Sequence, residues 1–122
     1  MKSFPGICIY EILFIILQYG ISLYQMRVIT EEPLKDYISK HPDTKTALQE
    51  WLKIVKAARW ECFADVKKTF NSVDNVGNQH YVFNIKGNQH RLVVVIKFTI
   101  KWIYIRFIGT HAEYDKIDCS TI

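Results

Sequence analysis

Three runs between residues 80 and 110, HYVFNIK, HRLVVVIKF and WIYIRFIGT, do most to limit what this chain can fold into. Each is rich in β-branched and aromatic residues, and short breaks separate them: GNQ after Lys86, then Thr99 to Lys101. Such runs with such breaks read as an antiparallel meander. Successive side chains on a strand face opposite sides, so parity assigns the faces. Tyr81, Phe83, Ile85, Leu92, Val94, Ile96, Ile103, Ile105 and Phe107 make one apolar face. The other carries Asn84, Lys86, Arg91, Lys97, Tyr104 and Arg106.

Upstream the period is helical. RVIT, Arg27 to Thr30, reads as a short strand, after which TEEPLKDYISK opens a helix with Pro33 in its first turn and Leu34, Tyr37 and Ile38 on one side. HPD ends it, and Asp43 is the expected N-cap of a longer helix in which Leu48, Trp51, Leu52, Val55 and Ala58 recur at helical spacing. Phe63 to Phe70 reads as one more short helix with Lys67 and Lys68 outward, and NSVDNVGNQ is turn chemistry. Helices then meander imply an α+β fold: a twisted antiparallel sheet with two or three helices on its apolar face and a free opposite face suited to a polar site.

A chain of 122 residues makes a single modest core. Its net charge of +4 is concentrated: no acidic residue falls between Asp74 and Glu113, while Lys86, Arg91, Lys97, Lys101 and Arg106 all do. An anionic partner is the first inference from that stretch, and a solvated basic face the alternative. Cys8, Cys62 and Cys119 are scattered and odd in number, so no disulfide framework is expected and a reducing, cytoplasmic setting fits. His41, His80, His90 and His111 show no metal-ligand spacing, and no metal site is expected.

Residues 7 to 24, ICIYEILFIILQYGISLY, reach the length of a membrane helix, but Glu11 and Gln18 interrupt them and no small-residue cleavage site follows. Three readings compete: a start codon misassigned upstream of Met26, a membrane anchor, and an extra buried helix. The first is preferred, because the Ile, Leu, Phe and Tyr content is what A+T-rich leader DNA encodes by accident. The expected division is therefore an apolar extension, 1–25, and a functional domain, 26–122.

GTHAEYD, Gly109 to Asp115, closes the last strand. Thr110 and Glu113 match a capping box, so a short helix should begin at His111. In a helix, Tyr114 and Asp115 lie three and four residues from His111, on its side. A helix start also attracts phosphate. Spacing alone leaves His111 either a cap-site histidine or a catalytic one.

NIKGNQHRLVVVIKF followed by YIRFIGTHAEYDKID resembles the HigB family of toxins from bacterial type II toxin-antitoxin systems, which are RelE-like messenger-RNA endoribonucleases. MRVITEEPLKDYISKHPD and AARWECFADVKKTF are similar to that family too, whose chains begin at the position of Met26. The resemblance implies a RelE-like fold, cleavage of mRNA, commonly on the ribosome, no cofactor, and a neighbouring helix-turn-helix antitoxin of HigA type. Carried over by position, it implies Arg91 in the family's strand motif, a basic residue at His111 where many relatives have arginine, a tyrosine at Tyr114, and a supporting lysine at Lys86.

Such cleavage uses the RNA 2′-hydroxyl as nucleophile, so the protein must move two protons and neutralise a pentacoordinate phosphate. Arg91 and Arg106 are assigned to charge stabilisation, His111 to proton transfer, and Tyr114 to proton transfer or positioning. For Arg106 the alternative is a structural bridge to Asp115. Lys86, Asn88, Lys97, Tyr104, Lys67 and Lys68 complete the expected RNA-binding set. The rival class is a non-catalytic nucleic-acid-binding module using the same basic face.

Overall fold

The computed structural model describes residues 24–122. The readings of the segment 1–23 as leader, anchor or helix fall outside these residues. Among the described residues no helix is long and apolar enough to cross a membrane.

The elements in chain order are β1 (Arg27–Val28), α1 (Glu32–Lys40), a 3-10 turn (Pro42–Thr44), α2 (Lys45–Ala57), α3 (Phe63–Thr69), β2 (Asp74–Gly77), β3 (His80–Ile85), β4 (His90–Lys97), β5 (Trp102–Thr110) and α4 (His111–Tyr114). Local chemistry explains the helix ends. Pro33 lies in the first turn of α1, where a missing N–H costs nothing. Its last turn stops at His41, whose backbone leaves the helical region, which the residue before Pro42 disfavours. Asp43 is not the cap of α2. Thr44 holds that place without a side-chain cap bond, its hydroxyl donating instead to the His41 carbonyl at 2.7 Å, and the Asp43 carboxylate is left for the sheet.

The sheet runs in the order β1-β5-β4-β3-β2. β2 to β5 are antiparallel, as the short breaks demanded, while β1 pairs with β5 in parallel and makes the sheet mixed. Asp74–Gly77, read from sequence as turn, adds an edge strand before the true turn at Asn78 and Gln79, both of positive φ.

The helices cover one face. Phe83 is 2% exposed and sits at the centre, with the rings of Trp51 and Phe70 edge-on at 5.4 and 5.1 Å. Leu34, Leu48, Val55 and Val66 meet Leu92, Val94, Ile96 and Ile103 around it.

Parity fails within β5. Val94 stands opposite Ile105 but Val93 opposite Phe107, so Arg106 is an extra residue in β5, a bulge. A one-residue insertion exchanges the faces of all that follows. Ile108, not Phe107, therefore joins the core opposite Leu92. Phe107 turns to the other face, where its ring tip lies 2.6 Å from the place a Cβ on Gly109 would occupy. Only glycine leaves room there.

The second face is not uncovered. Val82 and Val93 point to it and are 1% and 0% exposed. The C-terminal segment is bonded to residues of this face: Asn78 donates to the Ser120 carbonyl at 3.1 Å, and His80 Nε2 and Arg106 Nε donate to the Ile122 main-chain oxygen at 2.8 and 3.2 Å.

Candidate active site

Arg91 faces the second side of β4, paired with Asn84 on β3 and Gly109 on β5. Its Nη1 donates to the carbonyls of Asn88 at 3.2 Å and His90 at 3.5 Å. The guanidinium carbon lies 5.8 Å from the Tyr114 ring centroid, a cation–π distance.

α4 brings the other groups. Both halves of the capping box are present: Glu113 N donates to Thr110 Oγ1 at 3.2 Å, and Thr110 N to Glu113 Oε1 at 2.8 Å. His111 is pinned by its amide to the Gln89 carbonyl at 3.0 Å. Its Nδ1 donates to Asp115 Oδ2 at 3.0 Å, one turn on. A carboxylate on Nδ1 selects the tautomer that leaves Nε2 with a free lone pair. That nitrogen belongs to a half-exposed side chain, open to a substrate.

Tyr114 turns to Arg91 and to the C-terminal segment, its hydroxyl donating to Cys119 Sγ at 3.2 Å. Burial, then the Cys119 contact, push its pKa up to about 12, against the pull of Arg91. Arg91 thus does not make this phenol a base. At neutral pH it is an O–H donor.

Glu113 carries a testable pH signature. Bonds from the Thr110 amide and hydroxyl hold its carboxyl below the ordinary 4.5. A lowered folded pKa means a stabilisation that is complete above 4.5 and fades as pH falls through the folded value. Glu113→Gln keeps the capping geometry but loses the charge. Its melting temperature is expected to lie below the parent's at pH 7 and to converge with it as the pH is taken progressively below 4.5, as thermal melts read by circular dichroism across that range would show.

The remaining expected residues disperse. Lys86 lies beyond the end of β3 with φ 53 and ion-pairs with Asp43 at 2.9 Å, on the helix side rather than beside Arg91. Asn88 contributes its carbonyl to Arg91. Arg106 is the exposed bulge residue and binds Ile122, not Asp115. Lys97 bonds Gln79 at the far end of β4, about 20 Å from Arg91 by strand rise. Tyr104 is there too, its ring 6.1 Å from that of Trp102. Lys67 donates to the Val73 carbonyl at 3.0 Å in the helical layer, and Lys68 on the same helix is exposed. Lys101, part of the basic stretch, is 8% exposed and holds the Trp60 carbonyl at 2.6 Å and Glu61 at 3.0 Å.

A second group beside the site escaped the sequence reading. His90, 5% exposed, receives the Tyr37 hydroxyl on Nδ1 at 2.7 Å, and its Nε2 lies 3.6 Å from Asp43. Its signal was available: His90 shares parity with Leu92 and Val94, so it belongs to the apolar face and not with the arginines. Among the described residues no cluster of His, Cys, Asp and Glu could hold a metal ion.

The profile of the HigB toxin family, the RelE-like toxic component of a toxin-antitoxin system, matches residues 44–117. The mRNA interferase toxin HigB of Escherichia coli K12 is 37% identical to this chain over 92 residues, covering 74% of this chain and 88% of that protein. The mRNA interferase HigB of Escherichia coli O6:H1 is 29% identical over 94 residues, covering 75% and 91%.

Proposed function

Since this chain belongs to the HigB family of RelE-like toxins, we propose that its mRNA-cleaving chemistry is carried by Arg91, His111 and Tyr114 around one scissile phosphate. The protein is the toxin of a toxin-antitoxin pair and an mRNA endoribonuclease, with mRNA as substrate and a cognate antitoxin as partner. The observation that carries the site is the Arg91 guanidinium set over Tyr114, one helical turn from an imidazole whose Nε2 is free.

In the proposed reaction the His111 Nε2 takes the proton of the 2′-hydroxyl or delivers one to the departing 5′ oxygen. Arg91 neutralises the charge that builds on the phosphoryl oxygens. Tyr114, protonated to about pH 12, serves as a donor once it releases Cys119. Arg106 keeps its Nη groups for phosphate while Nε holds Ile122. Lys86 reaches the substrate only by leaving Asp43. Lys97 and Tyr104 are placed along a flanking stretch of RNA. No step requires a metal or cofactor, because the nucleophile belongs to the RNA.

The functional unit is placed at residues 26–122, in the cytoplasm where mRNA is translated. Its antitoxin is of the helix-turn-helix HigA type, and cutting takes place on the ribosome. A chain starting at Met26 should therefore arrest growth as the full chain does.

The test is mRNA cleavage in a translating extract. Arg91→Ala is expected to slow cutting about 100-fold, the loss typical of one charge-stabilising donor, with an unchanged circular dichroism spectrum. RNA left intact by the parent, with only salt-sensitive binding, would establish the non-catalytic module instead.

A further inference from the structure

Resting on the reading that Arg91 and His111 act on RNA, we infer that His90 is a positioning residue for both: clamped by Tyr37 and Asp43, it fixes the turn between β3 and β4 whose carbonyls hold the Arg91 guanidinium and the His111 amide.

The turn is held at both ends by one carboxylate. Asp43 Oδ2 lies 2.9 Å from Lys86 Nζ, where the turn begins, and 3.6 Å from His90 Nε2, where β4 starts. Inside the turn Lys86 and Gly87 both adopt positive φ, 53 and 65. For a lysine that conformation is unfavourable, so tertiary contacts have to maintain it. The Asn88 carbonyl receives Arg91 Nη1 at 3.2 Å, and the Gln89 carbonyl receives the His111 amide at 3.0 Å. A shift of this turn therefore moves the guanidinium and the start of α4 together.

His90 is well made for the task. Its imidazole is buried while its neighbour Arg91 leaves from the opposite side of the strand, so anchoring one sets the exit of the other. The rings of Tyr37 and His41 stack at 4.3 Å, and His90 stands edge-on to each at 5.6 Å. The Tyr37 hydroxyl stays protonated, because burial foremost, then Glu113 and Asp43, push its pKa up to about 12. It donates to Nδ1, which puts the imidazole proton on Nε2, facing Asp43. Tyr37, His90, Asp43 and Lys86 thus join α1, the 3-10 turn and the hairpin into one frame.

The experiment measures mRNA cleavage in a translating extract with toxin in excess, separating the maximal rate from the half-saturating toxin concentration. His90→Leu fills the site without the polar contacts and is expected to lower the maximal rate about tenfold, with half-saturation within about twofold, as a small misplacement of reacting groups would. Tyr37→Phe should fall in the same direction, and His90→Gln, which can accept from Tyr37 and donate to Asp43, should recover most of the rate. In an Arg91→Ala background His90→Leu should cost less than it does in the parent, leaving only the share that acts through His111. Parent-like rates for both His90→Leu and Tyr37→Phe, or a His90 effect undiminished without Arg91, would overturn the inference. If Arg91→Ala and His111→Ala themselves cut at the parental rate, it is the underlying assignment of the site that fails.

Discussion

His111→Ala is expected to reduce mRNA cleavage by about 100- to 10,000-fold, the range for removal of a positioned proton-transfer group, and to abolish growth arrest. The expectation depends on the side chain having little else to do. His111 is 47% exposed and among the described residues its side chain bonds Asp115, itself 60% exposed. The capping box that starts α4 uses Thr110 and Glu113, and the bond from His111 to Gln89 is made by its main chain. Alanine preserves all of that, so a surface-type stability change within about 0.5 kcal/mol should accompany the loss. Cleavage and toxicity are read alongside thermal melts and antitoxin capture. A variant that melts normally, binds its antitoxin and remains fully toxic would remove His111 from the chemistry.

Phe83→Ala should be the most damaging change to the fold, at about 3–5 kcal/mol through lost burial and an unfilled cavity. The ring is 2% exposed between Trp51 and Phe70, and Trp60 in turn packs on Phe70 at 6.1 Å. Nothing smaller can bridge helices to sheet at that point. With total stabilities near 5–15 kcal/mol for a domain, the loss takes a large share. A melting point lower by about 12 to 40 °C is expected for a domain of this size. A drop of only a few degrees would mean that the centre of the core lies elsewhere.

Much of this architecture could be read from residue order, and the reasons for the rest are physical. The meander and its helix-facing side follow from alternation alone, and Tyr81, Phe83, Leu92, Val94, Ile96 and Ile103 lie where parity puts them. Beyond Ile105 alternation breaks down, because Phe107 and Ile108 are both apolar and hydropathy cannot choose between them. Lys86 matched Asn84 in parity, but the strand stops at Ile85 and the backbone turns left-handed. The short C-terminal segment has no period at all, yet its carbonyls find Asn78, His80 and Arg106.

The candidate site divides in the same way. Arg91 and Tyr114 meet, and His111 is one turn away, all in motifs that local sequence could indicate. The Asp43 carboxylate that braces the hairpin comes from a residue 43 positions upstream of Lys86. Only tertiary structure makes that pairing visible. A count of basic residues also concealed that Lys101 is consumed in the interior.

The extra residue at Arg106 means that β5 serves two masters. Before it, Ile103 and Ile105 are turned to the helices; after it, the phase is reset so that Gly109 backs onto Arg91 and Thr110 onto His90. Deleting a single codon there would therefore be no local trim: it would rotate the last four residues of the strand, Phe107 to Thr110, by half a turn and carry the start of α4 with them. Length variation among natural variants should accordingly accumulate in surface loops and spare this strand.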